Sequence, residues 1–282
     1  MNFFRKGCLS VALLAMLSGC ATNSLFVSYP SQAEKWKATL GNEAASSGTT
    51  LKLEKATAGG DGVLYLQELG RVTQLNGEGE ASRNAFADAV SKYDAEDASA
   101  KIQVSSLAAS GTSLLTNDNA RPYVAPDYER IFTRAYQALN YWAENDVTGT
   151  AVELRAAALE QRVSANKREK EIAKAEEEAE ENEIDIGQFD GYFDGIDAVA
   201  GSVKASFQNA WTFYLSALFW EAHGEYNDAL VDYKKALEIN PGVDMIKEDV
   251  ERVSNPRARR GSDEGMVAVL YEQGFVLSLI HI

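Results

Sequence analysis

The sequence predicts an all-α protein whose helical hairpins form a superhelical scaffold, with a short β-like segment near its C-terminus. The first observation is the stretch from Trp220 to Pro241, which reads as a helix, a turn at Gly224 and a second helix stopped by proline. The second is that the same small and aromatic residues recur at similar spacing elsewhere in the chain. The third is that no glycine or proline falls between Thr150 and Ile186, an interval dense in Glu, Lys and Ala.

Composition sets the outer bounds. A chain of 282 residues, 45% of them hydrophobic, can bury a real core. The net charge of −15 repels phosphate backbones, so no nucleic acid is expected as a partner.

At the N-terminus, Arg5 and Lys6 precede an apolar run from Cys8 to Leu17, too short to span a bilayer, and then Leu17-Ser18-Gly19-Cys20. This ending resembles a bacterial lipobox rather than an ordinary signal-peptidase site. Residues 1–19 are therefore expected to be a lipoprotein signal peptide, with Cys20 acylated as the first residue of the mature chain. Removing residues 1–19 leaves 25 basic against 42 acidic residues. Cys8 and Cys20 are the only cysteines, so the mature chain would hold no disulfide. Several acyl chains anchor stably where one is marginal. The resemblance also implies, through Ala21 in place of Asp, export to the outer membrane.

Residues 20–30 read as a tether, and 31–58 as weakly helical, interrupted by Gly41, Ser46, Ser47 and Gly48. The helical domain is expected over 31–260. In its last hairpin, near 210–243, Phe213, Ala217, Trp220, Gly224, Ala229, Tyr233, Ala236 and Pro241 fill the slots of the tetratricopeptide pattern, which the stretch resembles. Small residues there allow close helix approach, aromatics fill the gap, and proline ends the second helix. A second copy near 63–96 uses Leu66, Leu69, Gly70, Gly77, Ser82, Phe86 and Ala89, with Asp94 where proline would sit. A weaker copy near 132–165 uses Trp142, Asp146, Ala151, Arg155 and Ala158. The copies start 69 and 78 residues apart, close to two 34-residue periods, so the intervals hold either degraded hairpins, such as Ile102 to Leu115, or irregular spacers. After the central copy its second helix is expected to continue into an acidic helix or linker over 166–190, which Gly187, Gly191 and Gly195 then break.

The loop from Thr116 to Arg130 holds Pro122 and Pro126, with Asp127 as a candidate cap for the next helix. Arg121, Tyr123 and Tyr128 are the candidate partner-binding residues on this stiff path, the alternative for Tyr123 being a clamp over the central hairpin.

Catalytic and metal chemistry find little purchase. The two histidines are His223, at a predicted turn, and His281; neither G-x-S-x-G, zinc spacing, P-loop nor EF-hand order is present. Asp185, Asp190, Asp194 and Asp197 read as acidic turns. No catalytic residue, metal or cofactor is expected, although paired carboxylates meeting only in the fold stay open.

Residues 261–276 include Gly265 to Val276, which alternates like a first strand without partners and suggests a C-terminal β domain. Leu277-Ser278-Leu279-Ile280-His281-Ile282 is what one frame of a widely used transposase sequencing adapter, CTGTCTCTTATACACATC, encodes. Residues 277–282 are therefore expected to be an artefact and the domain to be truncated, with a natural apolar tail as the alternative.

Together the lipobox, the Asn-Asp-Pro-Tyr-Asp-Tyr-Glu run and Tyr136-Gln-Ala-Leu-Asn-Tyr-Trp resemble a family of uncharacterised bacterial tetratricopeptide-repeat lipoproteins over nearly the whole chain. The resemblance implies an envelope lipoprotein, sometimes encoded near activators of peptidoglycan synthases, with no catalytic residues to carry over. The expectation is an outer-membrane-anchored periplasmic scaffold or adaptor in cell-envelope assembly or peptidoglycan synthesis. Its partner would be an envelope protein or peptide, its membrane contact the N-terminal lipid. The alternative is a cell-wall-acting enzyme whose catalytic region lies in a missing C-terminal domain.

Overall fold

The computed structural model describes residues 29–40, 43–107, 123–182, 208–255 and 266–272. Among them are nine helices and no strand: α1 (Tyr29–Lys37), α2 (Glu43–Ala56), α3 (Gly62–Leu75), α4 (Gly79–Leu107), α5 (Asp127–Ala143), α6 (Val147–Glu181), α7 (Ala210–Ala222), α8 (Tyr226–Ile239) and α9 (Asp244–Ser254). The all-α prediction of helical hairpins holds. Its β-like ending does not extend to residues 266–272, which form no strand and expose Val267, Val269 and Tyr271. A lone extended segment has no ladder to satisfy its backbone groups, so alternation alone does not make it a strand.

Three pairs, α3/α4, α5/α6 and α7/α8, turn in the same way. The turn residues Gly77, Asn145 and Gly224 have φ of 79°, 59° and 77°. At each, its own N–H and that of the next residue donate back to the preceding helix: Gly77 to Gln74 and Glu78 to Thr73, Asn145 to Trp142 and Asp146 to Tyr141, Gly224 to Glu221 and Glu225 to Trp220. This pair of hydrogen bonds is the Schellman arrangement, which consumes two carbonyls a helix end would otherwise leave open.

Counting from these turns puts the same residue classes at the same offsets. Seven residues before lie Gly70, Ala138 and Ala217; five after lie Ser82, Thr150 and Ala229; nine after lie Phe86, Leu154 and Tyr233; twelve after lie Ala89, Ala157 and Ala236. All are buried. The central copy is thus shifted by one from the sequence expectation. Asn145, Thr150, Leu154 and Ala157 hold the slots assigned to Asp146, Ala151, Arg155 and Ala158. Asparagine is the usual non-glycine occupant of the left-handed region, and Asp146 instead caps α6, its carboxylate accepting the Gly149 N–H at 2.8 Å.

The chain divides into two compact units between Ala125 and Pro126. In the first, α3 is buried on two sides. Tyr65, Leu69 and Val72 face Trp36 and Leu53, while Val63 and Leu66 meet Ala89 and Tyr93. The stretch expected to be weakly helical therefore supplies core anchors, Trp36 meeting the edge of Tyr65 at 6.3 Å. A Cβ on Gly70 would lie 2.5 Å from the Phe86 ring, which explains why this position carries no side chain. With no proline at Asp94, α4 runs on to Leu107, past the expected end near 96.

In the second unit α7 is the apolar centre, with Leu215, Ala217, Leu218 and Phe219 buried against α5, α6 and α8. Such an all-round apolar helix needs cover on every side. Helix α9, not singled out in the sequence, supplies the last of it through Val253 and Ile246. Arg252 of α9 holds both oxygens of Glu221, and its Nη2 lies 2.6 Å from Asp249. The hydroxyls of Tyr233 and Tyr214 donate to Glu221 and Asp249, each at 2.8 Å.

Candidate functional site

The expected partner-binding residues do not gather. Cys20 and Arg121 lie outside the described residues, as do Asp185, Asp190, Asp194, Asp197 and His281. Tyr123 belongs to the first unit, half-buried against Val63, Leu66, Ala89 and Tyr93, with its backbone N–H donating to Asp61 at 3.3 Å. It clamps the first hairpin rather than the central one. Tyr128 belongs to the second unit, on the first turn of α5. Asp127 does not cap α5, whose N-cap is Pro126; its carboxylate accepts the Ser164 hydroxyl at 2.9 Å and lies 3.9 Å from Lys167.

Tyr128 instead begins an aromatic row. Tyr128, Phe132 and Tyr136 recur every four residues along α5, and such positions share one helix face. Phe132 and Tyr136 stack at 5.9 Å, and Trp211 at the start of α7 lies 6.0 and 5.8 Å from them. Tyr128, Phe132 and Trp211 are half-buried, not enclosed. Large, stiff side chains in such positions bring much contact area at little entropic cost. The sequence pattern marks Tyr128 and Tyr136. It misses Phe132 and Trp211, because their meeting depends on the packing of α7 on α5.

A second feature opens between α6, α7 and α8. Leu154, Arg155, Ala158, Ser216, Trp220 and Val231 line a hollow of about 180 Å³ with Asp228 and Asp232 on its wall. The Arg155 guanidinium lies 4.7 Å from the centre of the Trp220 ring, a cation–π geometry. Asp232 Oδ2 accepts hydrogen bonds from Ser216 at 2.6 Å and from the Trp220 indole at 3.1 Å. Burial pushes the Asp232 carboxyl above the usual range; the Ser216 and Trp220 bonds oppose the rise and Asp228 adds to it. Burial also raises Tyr214 and Tyr233, reinforced by the carboxylates they donate to.

His223 is the C-cap of α7, its Nδ1 2.8 Å from the Phe219 carbonyl and its ring tilted against that of Phe219 at 4.3 Å. Both contacts are explained by ending a helix. Among the described residues no group of three or more potential ligands is placed to hold a metal ion, and no helix is long and apolar enough to cross a membrane. No protein-family model, curated protein or solved structure matches the chain.

Proposed function

We propose that this chain is a lipid-tethered scaffold of tetratricopeptide type that holds a segment of another envelope protein, in envelope assembly or peptidoglycan synthesis. The observation that carries the reading is the half-open aromatic row of Tyr128, Phe132 and Trp211 packed around buried Tyr136, in a unit that encloses Phe213, Phe219, Trp220 and Tyr233. A stack of hairpins offers such rows as binding surface, and anchoring aromatics carry most of the energy in protein interfaces. The work asked of this surface is holding, without turnover. Acylation at Cys20 would fix the scaffold to the periplasmic face of the outer membrane.

The test places a photocrosslinking amino acid at Phe132, and separately at exposed Val267, in the full chain expressed in a Gram-negative host. A discrete partner band from position 132, absent from 267 and lost in Trp211→Ala, is the expected result. Identical patterns at both positions would defeat the reading. Labelled palmitate should enter the parent chain and not Cys20→Ala; equal labelling would remove the tether.

A further inference from the structure

The outer face of α6 carries a charge pattern opposite to that of the chain. Val152, Leu159 and Val163 are each more than half exposed, at 56%, 52% and 53%, and lie in line along the helix. Around them are the exposed Arg155, Arg162, Lys167, Lys170 and Lys174. By helical geometry these eight residues share a strip covering about 140° of the circumference and about 33 Å of length. No carboxylate falls in that strip between Val152 and Lys174. Glu153, Glu160 and Glu171 lie along one edge, Glu169 along the other.

Two of the five cations are weakly engaged, Lys167 with Asp127 at 3.9 Å and Lys174 with Glu178 at 3.2 Å. Arg155, Arg162 and Lys170 form no ion pair among the described residues. By contrast Arg130, Arg134 and Arg252 of the same unit all face carboxylates. In a chain with 42 acidic residues, leaving three cations unpaired on one apolar strip calls for a partner of opposite charge.

We infer that this strip is a docking surface for an acidic protein segment that carries apolar residues at helical spacing. Its apolar side chains cover Val152, Leu159 and Val163, and its carboxylates meet Arg155, Arg162 and Lys170. Trp220 holds the Arg155 guanidinium in place, so less freedom is lost when a carboxylate arrives. The hollow beside it is walled by Ala158, Trp220 and the exposed Val231 together with Asp228 and Asp232, so it receives one uncharged side chain of the segment and none of its carboxylates. A membrane fits the strip less well. The strip offers no Trp, Phe or Tyr for the interface, and Glu176 to Glu181 on the same helix would meet any anionic headgroup with like charge. The strip is separate from the aromatic row and stands or falls without it.

The experiment uses the full chain and a fluorescent 22-residue helical peptide with leucines spaced to match Val152, Leu159 and Val163 and glutamates between them. Binding is followed by anisotropy at low and at physiological salt. The triple variant R155E/R162E/K170E, shown folded by circular dichroism, should bind roughly tenfold more weakly. It should in turn prefer the peptide in which lysine replaces each glutamate. Equal affinity of the parent for the glutamate peptide and its glutamine counterpart overturns the proposal. So does unchanged affinity in the triple variant, or binding seen only to phosphatidylglycerol vesicles.

Discussion

The first and third hairpins have the same turn, the same offsets and different fillings. At the two small offsets the first has Gly70, tight against the Phe86 ring, and Ser82, while the third has methyl groups at both, Ala217 and Ala229. The first keeps its polar contact inside the hairpin, Gln67 donating to Tyr93 at 2.8 Å. The third also bonds within itself, Tyr233 of α8 donating to Glu221 of α7, but there Arg252 from α9, outside the hairpin, closes the arrangement. The comparison teaches that the turn and the small residues set the hairpin, while the ring's neighbours are free to diverge.

The largest way to break this comparison is Gly70→Val. With the Phe86 ring only 2.5 Å from where a Cβ would lie, overpacking should cost roughly 3 kcal/mol, read as a lower urea midpoint. Ala217→Val, at the equivalent place, should cost less, because that site already accommodates a methyl. Equal costs would mean that the two hairpins do not share a packing plan.

Next is Arg252→Met. Glu221 and Asp249, with side chains 10% and 14% exposed, would lose their common cation at a cost of about 2–3 kcal/mol. In the first hairpin Tyr93→Phe should cost about 1 kcal/mol through loss of the buried Gln67–Tyr93 hydrogen bond. A smaller loss in Arg252→Met than in Tyr93→Phe would reverse the assignment of the charged cluster as the stronger closure.

A subtler test uses Asp232. Its raised pKa means that, between the ordinary 3.8 and its folded value, the native chain binds a proton the unfolded chain has lost. Its contribution to stability therefore falls as pH rises through that window. Asp232→Asn removes the dependence, so the melting temperature of the variant relative to the parent should rise from about pH 3.5 towards neutrality. A pH-independent difference would count against it.

The smallest effect concerns the turns. Asn145→Gly should gain a few tenths of a kcal/mol, whereas Gly224→Ala should lose about 1 kcal/mol. The same sign at both positions would contradict a shared left-handed turn.

The hairpins are legible in the sequence because glycine in a left-handed turn, alanine at a close approach and a buried ring each have a local cause. The pattern places the central hairpin one residue out of step because Asn145 does the work of a glycine without looking like one, and Asp146 stands where a turn residue is expected. The candidate site is the least legible part. Tyr128 can be picked out, but the row it joins needs Trp211 from 83 residues further on, and no spacing rule connects them. Arg155 is visible only as a misfit in an aromatic slot. In three dimensions it lies outside the core, over the face of Trp220, the product of a packing between hairpins that local pattern does not encode.

The turn residues also bear on how such a chain drifts over generations. A ring and the residue beneath it can exchange volume, so those two columns are expected to vary together among descendants. A backbone held at φ near 60–80° accepts few substitutes, and no change in a neighbouring side chain relieves the strain that a β-branched residue would bring to Gly77, Asn145 or Gly224. Ancestry in this protein would then be traced more surely through three small turn residues than through the large aromatic ones that first draw attention.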